Sequence, residues 1–328
     1  MTLTKLRNWN LRQASFLSFT LALAATPFQC PWLNQEAPPR DYRQDMREFV
    51  QNIAGYAKAT HPSFAVIPQN GQELLTQDGN SGGALATAYV AAIDGVGRED
   101  LFYGYTADDL ATPPSDHDYL LGFMQRAHAQ GLTVLVADYC STPSKVDNSY
   151  AQNAALGFIS FAANQRNLTS IPPYPATPYN VHSGDVTVLG QVKNFLYLLN
   201  PGEFASKAGF LGALQGTNYD LILIDAFFNG EQLTTSDIAS LKTKANGGHR
   251  LVIAYMSIGE AEDYRYYWQS SWAAHPPAWL DAVNPNWPGN YKVRYWDPAW
   301  QAIIFGSQTA YLDRILAAGF DGVYLDIT

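Results

Sequence analysis

Cysteine is nearly absent from this chain. Cys30 and Cys140 are the two in 328 residues, so at most one disulfide can form, and no CxxC or Cys/His metal spacing occurs. Charge is sparse as well: 15% of residues are charged against 47% hydrophobic, which excludes a chain kept unfolded by its own charge. Long apolar runs are lacking. The stretch "FLSFTLALAA" at residues 16–25 falls well short of the about 20 residues that a membrane span needs. The pattern GxSxG occurs at residues 79–83 as "GNSGG", but it follows a polar turn rather than an apolar strand and so does not read as a nucleophile elbow, and no phosphate-binding P-loop is present. The six histidines, His61, His117, His128, His182, His249 and His275, fall in expected helices or connections rather than at strand ends, so a histidine base or metal triad is disfavoured.

What is present begins with a leader. Lys5, Arg7 and Arg12 precede the apolar stretch, which ends in small residues, and this is the pattern of a secretory signal over residues 1–25. Residues 26–40 read as a polar, proline-containing spacer. Cleavage near Ala25 sheds three positive charges and takes the formal net charge from -9 to -12. So acidic an exported protein, secreted or periplasmic, disfavours nucleic acid and anionic membrane as partners, and suits a neutral or cationic substrate.

From residue 41 to 328 the pattern alternates strand and helix as a single domain. In "DYRQDMREFVQNIAGYAKAT" (residues 41–60), Met46, Phe49, Val50 and Ile53 recur at three- and four-residue spacings, which predicts an amphipathic helix. Eight apolar segments read as strands: Phe64–Ile67, Tyr89–Ile93, Thr133–Ala137, Phe195–Leu199, Leu221–Ile224, Leu251–Met256, Val293–Trp296 and Gly322–Leu325. The segment "SYAQNAALGFISFAANQ" (149–165) reads as helix throughout, and the Pro/Tyr-rich "LTSIPPYPATPYNVHSGD" (168–185) as a surface excursion. Continuous rather than alternating apolar runs mark strands covered on both faces. Eight of them over roughly 250 residues match a (β/α)8 TIM barrel, α/β in class. A doubly wound open sheet competes, but no glycine-rich turn opens a helix as that fold's phosphate site requires.

Strand C-termini of such a barrel converge on one mouth whatever their separation in sequence. Gln69 and Asn70, Asp94 with Glu99, Asp138, Asn200, Asp225, Glu260 with Glu262 and Asp263, Asp297, and Asp326 all follow expected strands. A single aspartate there is commonly a helix or turn cap. Six acid-tipped strands out of eight are harder to assign to capping, and crowded carboxylates are where a protonated acid and an ionised base can coexist. The chain also holds 20 Tyr, 16 Phe and 8 Trp, many beside those acids. Aromatic faces with polar rims suit sugar rings, and two carboxylates suffice to hydrolyse a glycosidic bond without metal or cofactor. Hydrolysis of a non-sugar amide would need a metal or an activated nucleophile for which no motif is seen.

At "YMSIGEAEDYRYYW", "NPNWPGNYKVRYWDPAWQ" and "GFDGVYLDI" the chain resembles the barrel family of extracellular glycosidases related to endo-alpha-1,4-polygalactosaminidase, glycoside hydrolase family 114. "FAVIPQNGQELL" and "AIDGVGREDLFYGY" resemble it too, so the likeness spans nearly everything after residue 41. The motif order is rotated relative to the family. "NFLYLLN" should open the barrel, with "PQNG", "GVGRED" and "VADYC" following "GVYLDI", which implies a circular permutation cut after the strand ending at Asp326 and joined near residues 172–183. The chain end and the start of the first helix should then both lie at the mouth. The family pattern also runs on into a further Asp and an aromatic stretch ending in Glu, past the point where Thr328 stands.

The resemblance implies a secreted, monomeric glycosidase acting on an amino-sugar polysaccharide. It implies Asp326 as nucleophile and Glu99 as general acid/base, with Glu260 and Asp225 as substitutes. Asp138, Gln69, Asn70, Asp263, Arg265, Tyr255 and Trp296 would line subsites. Carboxyls about 5–5.5 Å apart would mean retention, and roughly 6.5–9.5 Å inversion. The alternative is a carbohydrate-binding barrel that has lost catalysis.

Overall fold

The computed structural model describes residues 40–326. The expected signal peptide, the spacer up to residue 39 and Cys30 lie outside the described residues. From Asp41 onward the chain forms one compact unit.

Eight parallel strands organise it: β1 (Ala65–Pro68), β2 (Gly95–Glu99), β3 (Thr133–Tyr139), β4 (Ile159–Ala163), β5 (Phe195–Leu198), β6 (Leu221–Asp225), β7 (Leu251–Ser257) and β8 (Gly322–Asp326). Five of them pair in the order β1-β8-β7-β6-β5, and the other three in the order β2-β3-β4. The two sheets meet along β1 and β2, where a parallel bridge joins Gln69 to Gly97 and the Asn70 N–H donates to the Gly97 carbonyl at 3.0 Å. Across β4 and β5 the rings of Phe161 and Phe195 lie 5.7 Å apart. The protein is therefore mixed α/β, with parallel central sheets in a TIM-like arrangement.

Helices cover the outer faces: α1 (Tyr42–Thr60), α2 (Thr87–Ala92), α3 (Pro114–Ala129), α4 (Pro143–Ala155), α5 (Lys207–Gln215), α6 (Thr235–Leu241), α7 (Pro298–Ile304) and α8 (Tyr311–Ala318). The predicted first helix is α1. Asp41 caps it by accepting from the Gln44 N–H at 3.0 Å, satisfying one of the free donors of its first turn, and Met46, Phe49, Val50, Ile53 and Ala57 are buried in the hydrophobic core. Strand residues Val66, Ile67, Leu135, Val136, Leu196, Ile222, Leu223, Val252, Ile253 and Val323 are buried to within 1%, as strands sandwiched between helices and interior must be. None of the helices among the described residues is long and apolar enough to cross a membrane.

Three sequence expectations are corrected. The segment Tyr89–Ile93 is not a strand but mostly α2; its alanines favour helix, and the strand is the glycine-rich "GVGRE" that follows. Residues 149–165 are not one helix. α4 ends at Ala155, Gly157 takes φ +76°, and the aromatic and β-branched "ISFAA" becomes β4. Val293–Trp296 is not a barrel strand either: Asn290–Val293 pairs antiparallel with Glu260–Glu262 and Leu280–Val283 in an excursion between β7 and α7. The number of parallel strands is as expected, with β2 and β4 replacing two misplaced segments.

Candidate active site

A cavity of about 430 Å³ opens over the carboxyl ends of the strands, and its walls include Gln69, Asn70, Glu99, Asp225, Tyr255, Glu260, Arg265 and Asp326. Strand alternation explains how Glu99 and Asp326 reach it. Side chains two apart on a strand share a face. Gly97 and Tyr324 face each other, since a Cβ on Gly97 would stand 2.0 Å from the Tyr324 hydroxyl. Glu99 and Asp326 are the next residues on those faces, at the tips of β2 and β8. β1 runs between these two strands, with Pro68 opposite Leu325 and Gln69 opposite Gly97.

Tyrosines floor the cavity and orient its acids. Tyr139, from the tip of β3, donates to Glu99 Oε1, and Tyr255, from β7, donates to Asp326 Oδ2 at 2.7 Å. Tyr197, from β5, donates to Gln69 Oε1 at 3.1 Å and packs edge-on against Tyr324 at 5.5 Å. Burial, then the Glu99 and Asp326 carboxylates, pushes the Tyr324 hydroxyl well above its ordinary range, and burial with Glu99 foremost among the neighbouring charges does the same for Tyr197. Burial followed by Asp326 raises Tyr255, and burial followed by Glu99 raises Tyr139. These phenols therefore stay protonated as donors, and two of them feel both carboxylates at once.

Asn70 completes the setting of Glu99. Its Nδ2 donates to Glu99 Oε2 at 2.8 Å and its Oδ1 accepts from the Glu99 N–H at 3.1 Å. It does this from a left-handed backbone, φ 55°, a conformation asparagine tolerates better than most residues.

On the opposite side of the cavity Arg265 forks onto Asp225, with Nη1 to Oδ1 at 2.8 Å and Nη2 to Oδ2 at 2.7 Å. Its Nε reaches Glu262 Oε2 at 2.6 Å, and Tyr264 donates to Glu262 Oε1. Burial raises the Asp225 carboxyl above its usual range and Arg265 works against that rise. Burial also opposes the Arg265 charge, but Tyr311, Glu262 and Asp225 outweigh it and hold the guanidinium protonated. Glu260, 2% exposed, is fixed by Asn284 Nδ2 at 2.8 Å and Asn290 Nδ2 at 3.2 Å.

Three expected subsite residues lie elsewhere. Asp138 precedes Tyr139 on β3 and so faces the opposite way. It is fully buried, accepting from the backbone N–H groups of Phe102 and Tyr103 and from Ser149 and Asn153 of α4. Asp263 is exposed, and its N–H donates to the Gly289 carbonyl. Trp296 packs on Tyr42 and Tyr295, ring centroids 4.9 and 5.0 Å away. Two further acids placed after strands also serve structure. Asp94 stands before β2, paired with Lys58 and accepting from the Val66 N–H, and Asp297 caps α7. The start of α1 borders a separate cavity with Glu260 in its wall.

The structure adds residues that sequence reading missed. Arg166, Tyr197 and Tyr324 belong to the cavity and its floor. The two tyrosines were recoverable from the two-residue period that places Tyr324 on the face of Asp326; Arg166 follows no pattern. Trp287, 59% exposed, stands at the rim. Among the described residues no group of three or more His, Cys, Asp or Glu is placed to hold a metal, and Cys140 is a free, buried thiol.

Parallel α/β sheets with an acid-lined cavity over their carboxyl ends define a TIM-like protein whose functional groups are carboxylates, phenols and guanidinium. Residues 205–328 match the model of Glycoside-hydrolase family GH114 and relate the chain to that family. Uncharacterized proteins of Deinococcus radiodurans and Methanocaldococcus jannaschii are similar to it: 46% identical over 117 residues (36% of this chain and 35% of the relative), and 41% over 148 residues (41% and 40%). A third, from Thermotoga maritima, is 38% identical over 113 residues (34% and 33%). The chain thus spans between a third and two fifths of the length of the curated relatives it matches. The crystal structure of Aspergillus fumigatus Ega3 in complex with galactosamine matches at 22% identity and a TM-score of 0.28, over 45% of this chain and 49% of that one. So low a score bears on neither fold nor site.

Proposed function

We propose that the chain is a glycoside hydrolase that cleaves a polysaccharide, with Asp326 and Glu99 as its working carboxylates. One observation carries this reading: two acids far apart in sequence stand at the tips of the two strands that flank β1, each held by a tyrosine hydroxyl, in a cavity large enough for a sugar ring. Hydrolysis then needs one carboxyl to protonate the leaving oxygen and the other to attack the anomeric carbon or activate water. Glu99 is assigned the acid/base role and Asp326 that of nucleophile, with Glu260 and Asp225 as substitutes, Asp225 the weaker because the Arg265 guanidinium forks onto both its oxygens.

The substrate class follows from charge. Glu99, Asp225, Glu260, Glu262 and Asp326 face Arg166 and Arg265 across the cavity, an acidic excess that favours an amino sugar carrying positive charge. Gln69, Asn70, Tyr255 and Arg265 are the proposed hydroxyl-binding groups. We further infer a closed barrel of permuted strand order, supported by the pairing of β8 with β1 and by the bridge at Gln69, and export of a monomer directed by the leader.

Incubation with de-N-acetylated galactosamine polymer tests the activity. Shortened chains are expected from the wild type and none from Asp326→Asn or Glu99→Gln, with unaltered circular dichroism. Retention of the polymer without cleavage would replace the hydrolase by a binder. Turnover unchanged in both variants would remove the assignment of residues.

A further inference from the structure

Glu99 has a second layer of support that leads to Arg166. The residue follows β4 in the loop ahead of the long excursion, and its side chain is 41% exposed at the cavity edge. Three residues from the segment after β2 hold its guanidinium: Asp100 through Oδ1 at 3.0 Å and Oδ2 at 3.4 Å, Asp108 through Oδ1 at 2.7 Å, and Gly104 through its carbonyl. So anchored, the guanidinium lies 4.3 Å over the ring of Tyr139, and that ring's hydroxyl donates to Glu99. A cation over an aromatic face draws on the ring's electrons and is worth about 0.5–1 kcal/mol at an exposed position. It also fixes the ring in place. Three elements are therefore tied in series, the loop after β4, the tip of β3 and the tip of β2.

We propose that Arg166 is a positioning residue for Glu99, acting through the ring and hydroxyl of Tyr139. The proposal rests on Glu99 being the acid/base group. An unanchored Tyr139 would leave Glu99 with Asn70 as its remaining side-chain donor and free its carboxylate to swing from the reacting bond, a displacement to which catalysis is sensitive.

Other groups also face Glu99: Tyr324 from β8 and Tyr197 from β5, both of which feel its charge, and Arg98 and Asp100 beside it in the chain. Asp326 acts on the same two tyrosines. The experiment has to separate Arg166 from these.

The pH dependence of kcat/KM is measured for the wild type, Arg166→Met, Arg166→Lys, Tyr139→Phe and the double variant Arg166→Met/Tyr139→Phe, with Asp100→Asn measured separately to mark that neighbour's own titration. Loss of the cation should move the acid/base limb of the profile upward and lower kcat more than it raises KM. Lysine should restore part of both. In the Tyr139→Phe enzyme the same Arg166→Met change should move the limb less than half as far. The 13C resonance of the Glu99 side-chain carboxyl, titrated in the same variants, gives the same comparison without turnover. An unmoved limb and an unmoved resonance in Arg166→Met would reduce Arg166 to a structural clamp. A shift of equal size with and without the Tyr139 hydroxyl would overturn the route through Tyr139. Full activity of Glu99→Gln would instead remove the acid/base reading, while the resonance still decides the coupling.

Discussion

Gly97 on β2 stands against the Tyr324 hydroxyl of β8 so closely that a Cβ would lie 2.0 Å from the oxygen and 2.3 Å from the ring carbon bearing it. The missing side chain lets Tyr324 extend beneath β1 and floor the space into which Glu99 and Asp326 project. Gly97→Ala should displace that ring. Overpacking of this kind costs about 1–3 kcal/mol, so a lower denaturation midpoint is expected together with a loss of activity larger than the stability change explains. Normal turnover in Gly97→Ala would show that the floor does not set the carboxylates.

Arg265 binds Asp225 with both nitrogens of its fork and Glu262 with a third contact, and its side chain is 5% exposed. Removing one partner of a buried pair leaves the other charge without compensation, at about 3–5 kcal/mol. Arg265→Met is expected to lose stability on that scale in a urea titration, and Arg265→Lys to recover little, because a single ammonium cannot reproduce the planar fork. Asp225→Asn should cost less, since Glu262 still pairs with the guanidinium. Equal losses in Arg265→Met and Asp225→Asn would mean that the Asp225 pairing, not the shared network, sets the cost.

The site was legible in sequence where strand periodicity was strong. Asp326 follows a continuous apolar run and Asp225 another, so both were placed at the mouth by counting. Glu99 was named through resemblance, and its own strand was hidden because "GVGRE" carries two glycines and no aromatic. The residue that disguises β2 as a loop is Gly97, the one the cavity floor requires. β4 was lost for a related reason, since an amphipathic helix runs into it with Gly157 as the single break. Asp138 shows the opposite failure: being one residue out of phase with Tyr139 turns an acid at a strand tip into a buried helix anchor, and position along the strand alone does not tell the two apart.

Asp100 gives the protein a pH dependence of known sign. Burial raises its carboxyl from 3.8 to about 6, with Arg166 pulling the other way. A carboxyl raised on folding binds its proton more tightly in the native state, so its stabilising contribution is complete below the unfolded value and is lost as pH climbs through about 6. Wild-type stability should therefore fall across that window relative to Asp100→Asn, and the difference between the two should level off above it. Chemical denaturation at several pH values measures this. Parallel curves would assign the titration to another group.

Trp287 is 59% exposed, in the excursion between β7 and α7, where it borders the cavity with Pro288 and Asn290. A large aromatic surface left open to water at the edge of a polar cavity has no packing role to account for it, and a flat face offers a sugar ring contact over its C–H groups while the rim binds hydroxyls. Trp287 stands at the rim, and its neighbours Asn284 and Asn290 bond Glu260, so truncating Trp287 should leave Glu99 and Asp326 undisturbed. Trp287→Ala is expected to raise KM roughly three- to tenfold, the equivalent of about 0.5–1.5 kcal/mol of aromatic contact, and to change kcat less. The effect should grow with chain length if the tryptophan meets a ring beyond the one being cleaved, and a fall in kcat with KM unchanged would place it at the reacting ring instead.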